Sequence, residues 1–150
     1  NSCQSKVWPI AHMMRLCEEL NRRDIRVVIT GTEDDIPLAD ILLSGMHNVK
    51  IINACGKLSL SQLYCLIKRC NVYLTGDSAP LHVAASTESA FIVFFGPTDP
   101  RRHLPPAKKY IVLRKELPCS PCYKSKCKNL KCMSLITPEE VLGMIEGFLK

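Results

Sequence analysis

The chain has 150 residues, 47% hydrophobic and 23% charged, the size and balance of one globular domain, which excludes disordered, collagen-like and coiled-coil readings. Its longest apolar runs, such as Phe91 to Phe95, fall far short of the roughly 20 residues that a membrane-spanning helix needs. The net charge of +6 is uneven: residues 1 to 100 carry 9 basic and 10 acidic side chains, and residues 101 to 150 carry 11 and 4. Such a basic excess suits a surface that meets phosphates, nucleic acid or acidic lipid headgroups, and equally a merely solvated basic face. The chain begins at Asn1 without the basic start and apolar stretch of a signal peptide, so it reads as a fragment.

In chain order, Pro9 suits a first helical position, and Ile10, Met13, Met14, Cys17 and Leu20 recur on one face of a helix to about Arg23. A strand follows at Ile25 to Thr30. Asp35 and Pro37 open a helix that ends near Gly45, and Val49 to Asn53 is the next strand. Ser59 and Gln62 spell a capping box, with Leu60, Leu63, Tyr64 and Ile67 as the buried stripe up to Arg69. The strand Val72 to Thr75 leads to a helix starting near Ser78, then to strands Phe91 to Phe95 and Tyr110 to Arg114. Thr137, Pro138 and Glu140 cap a closing helix over 138 to 149.

β-Branched runs alternating with amphipathic segments predict an α/β fold, a doubly wound parallel sheet with helices on both faces. Such a sheet wants one more strand ahead of Lys6, upstream of Asn1. Ligands of these sheets bind beyond the carboxyl ends of the strands. The loops of interest are therefore Cys3 to Pro9, Gly31 to Asp35, Ala54 to Ser59, Gly76 to Leu81 and Gly96 to Pro106.

Thr75-Gly76-Asp77-Ser78-Ala79-Pro80-Leu81-His82 leaves a strand and enters a helix rich in small residues, an arrangement suited to a diphosphate because the helix start offers free N–H donors and a positive dipole end. Asp77 or Ser78 is equally at home there as a plain helix cap, and His82 as a core histidine. Phe95-Gly96-Pro97-Thr98-Asp99-Pro100-Arg101-Arg102-His103 brings hydroxyl, carboxylate and basic groups to the same edge, or is an ordinary turn. Lys6 precedes a helix start, where its ammonium can neutralise a phosphate or simply face water beside a packed Trp8. Gly31-Thr32-Glu33-Asp34-Asp35 follows a strand, where an acidic residue commonly accepts from ribose hydroxyls; a solvated loop with Asp35 as helix cap is the plain alternative.

The pieces K-x-W-P, G-x-E, G-K-L-S-L, D-S-x-P-L-H-x-A-A and F-G-P-T-D-P, in this order over residues 5 to 145, resemble the carboxyl-terminal half of the family 9 glycosyltransferases, the heptosyltransferase-like enzymes of lipopolysaccharide core assembly. The resemblance implies a GT-B fold, with residues 1–150 as its nucleotide-sugar (donor) domain and the amino-terminal acceptor domain absent. By the match, Asp77, Ser78, Ala79, Leu81 and His82 line the diphosphate, Lys6 approaches the same phosphates, Glu33 the ribose hydroxyls, Leu58 packs on the base, and Thr98 and Asp99 sit beside the phosphates or the sugar. The implied reaction is inverting transfer of a sugar, typically heptose from ADP-heptose, to a lipid-linked saccharide without a catalytic metal. It runs in the cytoplasm, peripheral to the inner membrane, with the base in the absent domain, so that this chain alone binds nucleotide without turnover. The family usually has Gly where Ala79 stands here, which bears on donor affinity.

Nine cysteines divide into two sets. Cys17, Cys55, Cys65 and Cys70 read as small buried hydrophobes, and Cys3 lies near the start. Cys119, Cys122, Cys127 and Cys132 form C-x2-C-x4-C-x4-C in a Cys- and Lys-rich loop over 117–133, consistent with a structural zinc site, an iron–sulfur cluster or four packed thiols. Any such metal is expected far from the sugar chemistry. The family tail shares this loop. Two other classes stay open: a nucleic-acid-binding module built on a zinc knuckle, against which the 6% aromatic content and the lack of aromatic interleaving stand, and another GT-B nucleotide-sugar enzyme such as an epimerase.

Overall fold

A computed structural model of the chain describes residues 4–47 and 49–150; Cys3 and the strand expected ahead of Lys6 lie outside them. Five short strands, β1 (Val27–Ile29), β2 (Ile51–Asn53), β3 (Val72–Gly76), β4 (Ala90–Phe95) and β5 (Tyr110–Arg114), form two parallel ladders. In one, Val27 lies opposite Ile51; in the other, ordered β3-β4-β5, Val72 lies opposite Ala90 and Phe91 opposite Tyr110. Parallel neighbours need crossover connections. Helices supply them, α2 (Ile36–Ser44), α3 (Leu60–Arg69), α4 (Ala79–Ser86) and α5 (Pro100–His103) lying between successive strands, while α1 (Ile10–Arg22) precedes β1 and α6 (Lys131–Ser134) and α7 (Pro138–Leu149) follow β5. Among the described residues no ladder joins β1 to β3. The two ladders meet through the Thr30 and Tyr73 hydroxyls, 3.1 Å apart, and through Val27, Val72 and Leu74, which pack on one shared core.

β4 sits at the centre because its sequence, Ala-Phe-Ile-Val-Phe-Phe, offers no polar side to water, and all six residues are buried. Side chains alternate across a strand. Ile92 and Phe94 therefore join Trp8, Leu16 and Leu20 of the first segments and Val141, Leu142 and Ile145 of α7. Phe91, Val93 and Phe95 meet Ile67 of α3 and Leu81 and Ala84 of α4 on the other face. Each large side chain so buried contributes about 1.5–3 kcal/mol. A third cluster, Cys17, Leu42 and Met46, seats α2 against α1 and the β1–β2 ladder. Helices on both faces of parallel strands confirm the expected fold class.

Several local expectations shift. Pro9 is the residue before α1 rather than its first member. The α3 stripe holds at Leu63 and Ile67, one turn apart on the core-facing side, whereas Leu60 is 68% and Tyr64 37% exposed. Cys17 and Cys55 are buried and Cys70 is half-buried, but Cys65 is exposed on the outer side of α3 and is no core residue. Burial pushes the Cys17 thiol up to about 11, with the Glu18 charge adding to the effect. α6 was not legible as a helix; it forms where Cys132 and Met133 dive into the core beneath Gly96.

Gly96 is required there. A Cβ on it would lie 2.6 Å from Met133 Sδ and 3.1 Å from Cys132 Sγ. Gly96→Ala is expected to lower stability in urea denaturation by about 1–3 kcal/mol, the usual cost of overpacking. Combined with Met133→Ala, the loss should be smaller than the sum of the two single losses, since one change makes room for the other.

Candidate functional site

The loop Gln4–Pro9 is fixed from its far end. Trp8 is buried, stacks on Phe94 with ring centroids 5.1 Å apart, and donates its indole N–H to the Ile136 carbonyl at 2.9 Å. Two residues earlier, Lys6 stretches its ammonium to Asp77 at the end of β3, donating to Oδ2 at 2.7 Å and to the Asp77 carbonyl at 3.1 Å. An ammonium has three N–H donors, so one remains for a ligand. Asp77 is only 7% exposed. Burial works to raise its carboxyl, but the hydrogen bond from Lys6 and the nearby Thr98 hydroxyl, with the charges of Lys6 and His103, outweigh burial and hold it below the usual range. Asp77 is thus a buried anchor for Lys6 rather than a helix cap.

Ser78 begins α4 in extended conformation, and its side chain caps nothing. The first N–H groups of a helix have no partners within it, and Pro80 has no N–H to offer. The N–H groups of Ser78 and Ala79, both exposed residues, are therefore the ones this helix start leaves to other partners. Ala79 is not among the residues with positive φ, so the backbone at this position does not require a glycine. Leu81 is different: its side chain is fully buried and its N–H bonds the Ser78 carbonyl at 3.0 Å. His82 is exposed on α4, so it is not a core histidine.

Thr98 and Asp99 end the β4 loop, both at least nine-tenths buried. The Thr98 hydroxyl lies close enough to Asp77 to help hold its charge, yet satisfies no strict hydrogen-bond geometry. Such a buried, under-used polar group calls for a partner. Asp99 is fully engaged. It caps α5 by accepting from the Arg101 N–H at 3.0 Å, and it grips the Arg101 guanidinium through both oxygens. Those bonds from Arg101 hold its carboxyl down to about 2.

Glu33 lies in a short 3-10 turn after β1, where its carbonyl accepts from the Ile36 N–H; its exposed carboxylate has no hydrogen bond or ion pair among the described residues. Asp35 closes that turn by accepting from the Thr32 N–H at 2.8 Å and hydroxyl at 2.9 Å, and its side chain does not cap α2. Leu58, half-buried, follows the loop after β2. The two loops touch: the Gly56 N–H donates to the Gly31 carbonyl at 2.9 Å, with Gly56 at φ +68°, a left-handed conformation natural for glycine. A cavity of about 460 Å³ opens between the start of α1 and α2, lined by Trp8, Pro9, Asp34, Asp35, Leu38 and Leu130 among others. Neither Lys6, Asp77, Thr98 nor Leu58 lines it.

Among the described residues no group of three or more His, Cys, Asp or Glu is placed to hold a metal ion, so the geometry does not support the zinc reading; Cys119, Cys122, Cys127 and Cys132 are free thiols. Cys132 is buried and Cys119 and Cys127 are exposed, yet the four bear on one another: burial pushes the Cys132 thiol up, and the charges of the other three all add to the effect. Nor is the loop remote from the site. The Ser120 hydroxyl donates to the Gly96 carbonyl at 2.6 Å, and the Cys122 and Tyr123 N–H groups both donate to the Pro97 carbonyl, at 3.0 and 2.8 Å. Ser5, missed in the sequence, is 1% exposed; its N–H donates to the Ser125 carbonyl at 3.1 Å and its hydroxyl to the Lys124 carbonyl. Nothing local in the sequence signals these bonds, which join segments more than a hundred residues apart.

Parallel strands with helices on both faces, and strand-end loops that gather Lys6, Asp77, Thr98 and an open helix start at one edge, are the architecture of a GT-B glycosyltransferase domain. The sequence profile of glycosyltransferase family 9 (heptosyltransferase) matches residues 1–133. The chain belongs to that family. It is 32% identical over 107 residues to lipooligosaccharide heptosyltransferase 2 of Campylobacter jejuni, covering 69% of this chain and 34% of the relative. It superposes with a TM-score of 0.84 on a family 9 glycosyl transferase from Veillonella parvula, at 29% identity. The TM-score is also 0.84 on the ADP-heptose LPS heptosyltransferase II of E. coli, at 26% identity. Each of these superpositions covers 97% of this chain and 42% of the other. The chain thus spans well under half the length of the relatives it matches.

Asp99 sets a pH dependence. Its folded-state pKa, about 2, lies below the ordinary 3.8, so its contribution to stability is present above the ordinary value and is lost as pH falls toward the folded one. Acid unfolding of Asp99→Asn should show a flatter profile between about pH 4 and pH 2 than the parent, and carboxyl NMR titration should place the parent's Asp99 at the low end.

Proposed function

We propose that this chain is the donor-binding part of a heptose-transferring glycosyltransferase, holding the diphosphate of a nucleotide sugar between Lys6, the Ser78 and Ala79 N–H groups and the Thr98 hydroxyl. The observation that carries this reading is the ammonium of Lys6, fixed by Asp77 with one donor to spare, beside a helix start with no side-chain cap. In the transfer, an acceptor hydroxyl forms a bond to the anomeric carbon as the bond to the diphosphate oxygen breaks. Negative charge then grows on the leaving diphosphate, and preorganised positive groups stabilise it most at that point. The acceptor proton passes to a base outside residues 1–150. Exposed Glu33 suits the ribose hydroxyls, and half-buried Leu58 offers an apolar face to the base.

The name of the E. coli neighbour, an ADP-heptose LPS heptosyltransferase, supports ADP-heptose as the donor and a lipopolysaccharide core saccharide as the acceptor. The exposed cations of the last third of the chain suit a phosphorylated acceptor or an anionic inner-membrane surface. Among the described residues no helix is long and apolar enough to cross a membrane.

Calorimetry with ADP, GDP and UDP tests the reading: ADP should bind best. Lys6→Ala should weaken it about 10- to 100-fold, the loss of a charged hydrogen bond worth about 1.5–3 kcal/mol. Binding of no nucleoside diphosphate would sink the assignment.

A further inference from the structure

We propose that the segment Ser120–Ser125 is a strap that positions the phosphate-binding groups, and that Ser5 and Ser120, its two anchor points, are positioning residues acting through Lys6 and Thr98. The inference rests on the donor-binding reading above and adds the element that builds the site. At one end, buried Ser5 gives both its N–H and its hydroxyl to the strap, at the Ser125 and Lys124 carbonyls. The next residue is Lys6, whose ammonium must span to Asp77. At the other end, Ser120 holds the Gly96 carbonyl, and the consecutive N–H groups of Cys122 and Tyr123 converge on the single carbonyl of Pro97, one residue before Thr98.

Tyr123, which donates the second of these bonds, stands at φ +55°, a left-handed conformation that a bulky residue adopts only when its surroundings impose it. The Tyr123 ring lies 6.0 Å from that of His103, which ends α5 of the same loop. The strap therefore ties the Lys6 loop to the Thr98 loop, while Lys6 ties its own loop to the start of α4 through Asp77. The Lys6 loop, which belongs to no ladder, is thereby closed with the loops that follow the paired strands β3 and β4 into one ring of contacts around the place where a diphosphate would lie. Pre-setting groups in this way lowers the ordering cost of binding.

The test separates positioning from plain folding. In the full chain, affinities are measured for the best-binding nucleoside diphosphate among ADP, GDP and UDP and for its nucleoside, which lacks phosphates. Ser5→Ala and Ser120→Ala should each weaken the diphosphate about fivefold, the effect of one hydrogen bond, and leave nucleoside affinity unchanged. On a Lys6→Ala background, Ser5→Ala should add no further loss, because its effect runs through the missing ammonium. Equal losses for nucleoside and diphosphate, or a Ser5→Ala loss fully additive with Lys6→Ala, would overturn the strap. If Ser5→Ala does not fold, Ser120→Ala alone decides by the same comparison of the two ligands. A parent that binds no nucleoside diphosphate overturns the donor-binding reading itself, and the strap with it.

Discussion

The burial of β4 on both faces is the constraint from which the site follows. A strand with Ile92 and Phe94 locked on one side and Phe91, Val93 and Phe95 on the other has no freedom to slip by a residue, since a one-residue shift would exchange its two faces. Its carboxyl end delivers Gly96 to Asp99 at a fixed height, and all four residues remain buried. Gly96 lies close enough to Met133 to exclude a side chain, and its carbonyl faces Ser120. The loop that carries Thr98 is thus an extension of the core.

Electrostatics at this edge are more guarded than a positive patch would be. Lys6 is paired with a buried carboxylate, so the two contribute little net charge; what the pair supplies is direction, an N–H held in place. Removing Asp77 would free the ammonium to wander, and removing Lys6 would leave a buried anion uncompensated, the costlier of the two changes. Attraction for an anion must then come from the open start of α4 and from the rim. Arg101 is itself spent on Asp99, so the rim's free positive charge lies elsewhere.

The sequence exposed those features whose cause is local. β5 runs over the expected residues 110–114, and the capping boxes Ser59–Gln62 and Thr137–Glu140 form as read, because a strand pattern and a cap each depend on a few adjacent residues. Asp77 was singled out, but as a cap or a ligand contact. Its pairing with Lys6 joins residues 71 apart, and nothing in either segment alone implies it. Cys119 to Cys132 shows the opposite case: the spacing suggested that the four thiols gather, and they do bear on one another at Cys132, but long-range anchoring at Gly96 and Pro97 leaves no group of three placed to hold a metal ion among the described residues. Asp99 illustrates a third case, since Asp-Pro-Arg is itself a helix-start pattern that was legible but was weighed only as a turn or a ligand loop.

The uneven charge distribution takes on meaning at the strap. Several cations of the last third are already matched: Lys115 with Glu140, Lys108 with Glu88, Arg101 with Asp99 and Arg114 with Glu116. Between Leu117 and Pro138 there is no acidic residue at all, while Lys126, Lys128 and Lys131 are exposed. A run of unopposed positive charge therefore follows directly on the strap that fixes the Lys6 and Thr98 loops. Long-range attraction and short-range positioning have different demands, one needing exposed, mobile charge and the other buried, directional bonds. Here one stretch of chain meets both by turning its backbone inward to Ser5, Gly96 and Pro97 and its lysines outward. A change that reduces its charge should slow anionic ligands most at low ionic strength, whereas a change at its anchors should act at any salt concentration.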